Sequence, residues 1–258
     1  MAKPTAVIVR APGTNCHEET AFAFETAGAN VKVERLRDVL ADPTILDQTK
    51  IFCVPGGFSY GDDLGAGRIF ASKLSGPLGD RLKAFRDRGG LILGVCNGFQ
   101  VLLQTGLLIA PAADGSPQAT LAQNALGRFE DRWVHLSLTP GRCAFVTEPA
   151  VVTLPVAHGE GNFIVETPEV LRMLESDKRV VCRYVDSNGK PGGYPVNPNG
   201  ATEGVAGICD ETGRVFALMP HPERHLSPYQ HPTWTRRDVQ PDYGDGFLFF
   251  KNAVRYFD

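Results

Sequence analysis

The stretch LILGVCNGFQVLLQTG, residues 91–106, decides how this chain is read. Leu91 to Val95 is a short apolar run of the kind that forms a buried strand, and GFQVLLQTG, which follows almost at once, has the spacing of an amphipathic helix. Between them sits Cys96, with Gly94 and Gly98 two residues to either side. A strand that turns so abruptly into a helix brings two backbones close together, and glycine at the second neighbours removes the Cβ atoms that would clash. The same G-x-nucleophile-x-G spacing holds the middle side chain exposed in nucleophile elbows. A thiol there stands over a helix N-terminus, whose partial positive charge favours the thiolate. Two readings of Cys96 are open on this spacing alone, a reactive nucleophile or a small buried thiol flanked by packing glycines.

Outward from this segment the pattern repeats. TAVIVR (5–10), NVKVERL (30–36) and IFCVPGG (51–57) read as further strands, and residues 17–27, 37–48 and the PLGDRLKAFRDRGG segment ending at Gly90 read as helices between them. Strands alternating with helices predict an α/β fold, a mostly parallel open sheet with helices on both faces. Beyond residue 130 strand-like runs dominate (WVHLSL, VVTLPVA, RVVCRY, GVAGICD, RVFALMP), which adds β-hairpin and loop insertions, and GFLFFKNAVRYF closes the chain as a helix. Two Pro- and Gly-rich stretches, about 187–204 and 225–246, are expected as long loops facing a partner or covering a site, within a single domain spanning 1–258.

Composition narrows the function classes. A formal charge of −3 and a pI near 6.1 leave no basic footprint for nucleic acid. No apolar run reaches the ~18 residues that span a bilayer, and the N-terminal apolar stretch is too short for a signal peptide, so a cytoplasmic protein without membrane contact is expected. Six cysteines lie at least 27 residues apart, which excludes a C-x-x-C metal knuckle and predicts free thiols in a reducing compartment. Neither a G-x-x-x-x-G-K-[ST] loop nor a G-x-G-x-x-G after a strand is present, so no nucleotide cofactor is expected on this chain.

A nucleophilic Cys96 needs a base. In MPHPER, His221 lies between two prolines, and the residue before a proline is pushed into extended backbone. Positions i and i+2 of an extended chain share a side, which sets Glu223 beside the imidazole as an orienter. The competing reading makes His221 and Glu223 a surface pair next to Arg224. Zinc on His221 and His225 would need a helix that Pro222 opposes, so no metal is expected. The loop PGGFSYGDD supplies backbone N–H groups for an oxyanion, from Gly56 or Gly57, with Asn97 supplying another. Cys16, in PGTNCHEE, also follows a strand and opens a helix, but without flanking glycines it reads as a cap and core filler. His158 and Glu160 in PVAHGEGNF form a second His-x-Glu pair and are an alternative base and orienter.

In order, PGGFSYGD, GVCNGFQ and MPHPER resemble the class I triad glutamine amidotransferases, and PGTNC, PVAHGEGNF, NPNG and VAGICD extend the likeness to the glutaminase subunits of phosphoribosylformylglycinamidine synthase. The resemblance implies a glutaminase whose triad is Cys96, His221 and Glu223, with Gly57 and Asn97 as the oxyanion hole. It implies that Gly56, Phe58 and Gln100 bind L-glutamine, and that His158 and Glu160 support the site or face a partner. The implied partner is a large synthetase subunit, with or without a further small subunit, that carries ATP and Mg²⁺ and makes formylglycinamidine ribonucleotide in purine biosynthesis. Alternatives are an amidotransferase subunit for another synthetase and a non-catalytic partner domain of the same fold. GDDLGAG (61–67) departs from the family's commoner GDYLRAG, and the added length after the triad bears on how a partner would dock.

Overall fold

The computed structural model describes residues 2–236 and 238–258; Met1 and Arg237, the latter inside the loop expected over 225–246, lie outside the described residues. The chain runs β1 (Thr5–Arg10), α1 (His17–Thr26), β2 (Asn30–Arg35), α2 (Leu36–Ala41), β3 (Ile51–Val54), α3 (Arg68–Ser75), α4 (Gly79–Asp87), β4 (Leu91–Val95) and α5 (Asn97–Gln104). It continues with β5 (Ala119–Ala122), β6 (Glu130–Leu138), β7 (Ala150–His158), β8 (Asn162–Val165), α6 (Pro168–Ser176), β9 (Val180–Val185), β10 (Val205–Cys209), β11 (Val215–Leu218) and α7 (Phe247–Arg255).

Nine strands form one sheet in the order β2-β1-β3-β4-β11-β10-β9-β6-β7. The first five in that order are parallel, and β10, β9, β6 and β7 continue antiparallel. β3, β4 and β11 are buried along their whole length, as parallel strands covered on both faces must be. β7 lies at the edge, which is where a strand tolerates Pro155. The path from β1 to β2 runs one way across the sheet and that from β3 to β4 the other. Right-handed crossovers therefore put α1 on one face and α3 and α4 on the opposite face. α7 joins α1 through an edge-to-face contact of Phe24 and Phe250 at 4.9 Å, and α5 packs with α3 on the other side.

The direction of crossover reverses between β1 and β3. In open α/β sheets that switch point opens a crevice beyond the carboxyl ends of the strands. The α/β class and mostly parallel open sheet expected from sequence are present, and the antiparallel strands β10, β9, β6 and β7 extend that sheet and make it mixed. The expected helix over 37–48 is not continuous. α2 stops at Ala41 and a 3₁₀ turn occupies Pro43–Asp47, because Pro43 forces Asp42 out of the helical region (φ −131°, ψ 84°). Among the described residues no helix is long and apolar enough to cross a membrane.

Candidate active site

Cys96 caps α5 with φ 51° and ψ −105°, a conformation that non-glycine residues seldom adopt. Its N–H donates to the Leu218 carbonyl of β11 at 2.8 Å, which pins the turn to the neighbouring strand. The two flanking glycines are required by close approach. A Cβ on Gly98 would sit 1.9 Å from the Val54 carbonyl oxygen, and one on Gly94 would sit 2.7 Å from the Gly98 carbonyl oxygen. Cys96 is therefore an elbow residue. It is 5% exposed and lines a cavity of 140 Å³ together with Gly57, Phe58, Asp62, Gln100 and His158.

β11, parallel to β4, ends one residue before Met219 and Pro220 and delivers His221 to the same rim. His221 has extended backbone (φ −105°, ψ 90°), as its following proline demands, and its N–H donates to the Pro155 carbonyl of β7 at 2.8 Å. Nδ1 of His221 lies 2.7 Å from Oε1 of Glu223. The two side chains are buried, 2% and 1% exposed, which overturns the surface-pair reading. Arg224 turns away to Glu19 (3.0 Å) and to the Cys16 sulfur (3.2 Å). Burial opposes a charge on His221, but the Glu223 carboxylate, the Cys96 thiol and Cys16 outweigh it, so His221 titrates well above the usual imidazole range. Gly56 separates base from nucleophile. A Cβ there would lie 2.9 Å from Cε1 of His221 and 3.4 Å from Cβ of Cys96, so any larger residue would push the two apart.

The loop after β3 is laced to the loop after β1. Thr14 and Gly57 form a bridge, the Phe58 N–H donates to the Gly13 carbonyl at 3.0 Å, and the Cys16 N–H to the Gly56 carbonyl at 3.3 Å. Gly57 takes φ +137°, and a Cβ would strike the Asn15 nitrogen at 2.7 Å. Asn97 is the first residue of α5, where backbone N–H groups have no partner within the helix. Its side chain accepts from the Ser59 N–H at 3.4 Å and donates to Asp62 at 3.3 Å and to Gln100 at 2.9 Å. Gln100 in turn donates to the Glu160 carbonyl at 2.6 Å. Both ends of the Gln100 amide are thus engaged by the protein, which makes it a brace between elbow and rim in this structure.

His158 reaches the cavity from the end of β7. Burial first, and the positive His221 second, lower its pKa to about 4, so it is a neutral imidazole. Asn124, itself buried, holds it in place: Oδ1 lies 3.1 Å from His158 Nδ1, and Nδ2 donates to the His158 carbonyl at 2.8 Å. Glu160 accepts from the Ala66 N–H at 3.3 Å. His158 Nδ1 is thus engaged by an amide and the Glu160 carboxylate by backbone, so the two are not coupled as a base and its orienter.

Sequence reasoning missed Asp62, Asn124, Phe129 and the position of Cys16. Asp62 was within its reach, being part of the PGGFSYGDD loop, whereas Asn124 and Phe129 lie in a stretch without periodicity and come to the site only through tertiary folding. Cys16, His221 and Glu223 offer three ligand atoms within 4.8 Å of one another. The Arg224 guanidinium on the Cys16 sulfur opposes a cation there, and the short His221–Glu223 hydrogen bond already uses two of the three atoms.

This arrangement can perform acyl transfer: a cysteine at an elbow, a histidine held by a carboxylate, and backbone N–H groups around a small cavity. Known proteins similar to this chain match it along its full length. The phosphoribosylformylglycinamidine synthase subunit PurQ of Dehalococcoides mccartyi is 46% identical over 258 residues, covering 99% of this chain and 98% of that protein. That of Methanococcus maripaludis is 42% identical over 267 residues, with 99% and 98% covered. A solved structure described as PurLQS from Thermotoga maritima superimposes with a TM-score of 0.74 at 30% identity, covering 100% of both chains. With the CobB/CobQ-like glutamine amidotransferase domain matching residues 3–257, the chain belongs to that amidotransferase family.

Proposed function

We infer that this chain hydrolyses L-glutamine to glutamate and ammonia and delivers the ammonia to a synthetase subunit. That partner uses ATP and Mg²⁺ to convert formylglycinamide ribonucleotide into formylglycinamidine ribonucleotide, and this chain needs no cofactor of its own. The observation that carries the reading is the buried His221–Glu223 pair, set across Gly56 from a cysteine at an elbow. The full-length likeness to PurQ subunits supports the choice of synthetase. Six free thiols fit a reducing cytoplasm.

Cys96 as thiolate attacks the side-chain carbonyl carbon of glutamine, and the oxyanion that forms is held by the N–H groups of Gly57 and Asn97. His221, protonated and oriented by Glu223, gives its proton to the departing nitrogen, which leaves as ammonia while a thioester remains on Cys96. His221, now neutral, takes a proton from water as the hydroxide attacks the thioester, and glutamate is released with the thiolate restored. Phe58 and Phe129, 47% and 51% exposed and stacked 6.4 Å apart at the mouth, offer an apolar rim for a docked synthetase to cover.

Glutamate production with and without the synthetase tests the reading. Cys96→Ala should abolish glutamine-dependent synthesis while synthesis from added ammonia persists. Glu223→Gln should lower kcat by on the order of 10³ or more, because it removes the charge that stabilises the imidazolium. Glutamine turnover by Cys96→Ala at the wild-type rate would sink the assignment.

A further inference from the structure

Cys16 is a buried nucleophilic side chain that the acyl-transfer scheme leaves unused, and it lies against the triad histidine. Its sulfur is 3.9 Å from Nδ1 of His221, 3.2 Å from Nη2 of Arg224 and 3.1 Å from Oδ1 of Asn15. A thiol has one proton to donate, and its sulfur is a weak acceptor. Guanidinium can only donate, so the sulfur accepts from Arg224. The amide oxygen of Asn15 can only accept, so it takes the S–H. What remains of the sulfur's lone-pair surface faces the Nδ1 side of His221, whose hydrogen goes mainly to Glu223 Oε1 at 2.7 Å.

Two walls therefore stand against the same edge of the imidazole. Gly56 is one, since a Cβ there would stand 2.9 Å from Cε1 of His221 and 3.2 Å from the Cys16 sulfur. Cys16 is the other. Its place is fixed by the Cys16 N–H donating to the Gly56 carbonyl at 3.3 Å, and by Arg224, which is tied at 3.0 Å to Glu19 of α1. We infer that Cys16 is a positioning residue for the glutaminase reaction: held by Asn15 and Arg224, its sulfur fixes the plane of the His221 ring, so that Nε2 faces Cys96.

This role rests on the chain being a glutaminase. Sulfur suits the task because it fills the space beside the ring yet accepts a hydrogen bond too weakly to draw the Nδ1 proton from Glu223. Burial and the Glu223 carboxylate hold the thiol above its usual pKa, so it stays neutral and adds no second anion beside the imidazolium. The Arg224 guanidinium is engaged by the sulfur and by Glu19.

Cys16→Ala, Cys16→Ser and Arg224→Met, assayed in the complex with the synthetase, test this. For Cys16→Ala, kcat should fall roughly 10- to 100-fold, the loss expected when a catalytic group swings by about 1 Å, with KM for glutamine within about twofold of wild type. The high-pH limb of the kcat profile should also move to lower pH, because His221 loses a neighbour that favours its protonated form. Cys16→Ser, whose shorter side chain leaves part of the gap, should fall between Ala and wild type. A wild-type kcat and pH profile in folded Cys16→Ala overturns the inference, and so does a lower kcat with no displacement of the limb, the mark of a merely structural role. Should Cys16→Ala fail to fold, Arg224→Met leaves the thiol in place but removes its donor, and a wild-type kcat there overturns the inference equally. A wild-type complex without glutaminase activity removes the functional reading itself, whereas an active wild type with indifferent Cys16 variants removes only the role of Cys16.

Discussion

His158 and His221 are close enough to influence one another and are tuned in opposite directions. Burial and the charge of His221 lower His158 to about 4 from a usual 6.5. The unfolded chain then binds a proton below pH 6.5 that the folded chain refuses until about pH 4. Folding stability should accordingly fall as the pH drops through that window, by on the order of 3 kcal/mol from this residue. Urea unfolding between pH 7 and pH 4 measures it, and His158→Gln should flatten the slope; an identical slope in the variant would assign the effect to another group. His221 is raised, so its contribution has the reverse sign, present below the unfolded value and lost as pH rises through the folded one. The His-x-Glu pattern alone could not separate these two histidines. What separates them is a carboxylate at 2.7 Å in one case and an Asn124 amide at 3.1 Å in the other.

The β4–α5 elbow is the unit on which the fold and the site both depend. Gly98→Ala would drive a methyl group to 1.9 Å from the Val54 carbonyl oxygen, which is backbone and cannot rotate away. A loss of about 3 kcal/mol or more in denaturant unfolding is expected, at the upper end of overpacking costs. Gly79, the first residue of α4, has open space for 4 Å around the position a Cβ would take, and no positive φ. Gly79→Ala should be neutral or stabilising by up to about 1 kcal/mol. Loss of equal size in both variants would mean that helix propensity, not the close approach, governs the elbow. The β10–β11 turn is organised by buried Asp210, whose Oδ1 accepts from the N–H groups of Arg214 and Val215 at 3.0 Å each and whose Oδ2 accepts from Thr212 at 2.7 Å. Asp210→Asn should lose about 1–3 kcal/mol of stability and leave KM for glutamine unchanged, which thermal melts and steady-state assays read separately. Strong elements such as β1, β4 and α7 were legible because their apolar runs are long and bounded by Gly or Pro. β5, β8 and α6 were not, since two strands of four residues and a short helix carry too little periodicity to stand out.

All six thiols are buried, yet Cys96 alone among them lines a described cavity with an opening to solvent. Brief treatment of the native protein with iodoacetamide should place one adduct on Cys96, read by peptide mass spectrometry, and Cys96→Ala should take up none. Prior labelling of Cys16 or Cys53 would show that the molecule opens at the β1–β3 crevice before it opens at the cavity mouth. Chain order and residue type by themselves determined the α/β class, the strand-to-helix turn at Cys96, the extended backbone at His221 and the glycine loop after β3. Each of these is a local consequence of a strand meeting a turn, or of a proline or glycine restricting its neighbour. Only the tertiary structure decided that Cys16 lies beside His221, that Gln100 braces Glu160, and that Asn124 holds His158. Those meetings join residues 16 and 221, 100 and 160, and 124 and 158. They depend on β1, β3, β4 and β11 ending at one rim, and strand order in a sheet is set by the packing of the whole chain.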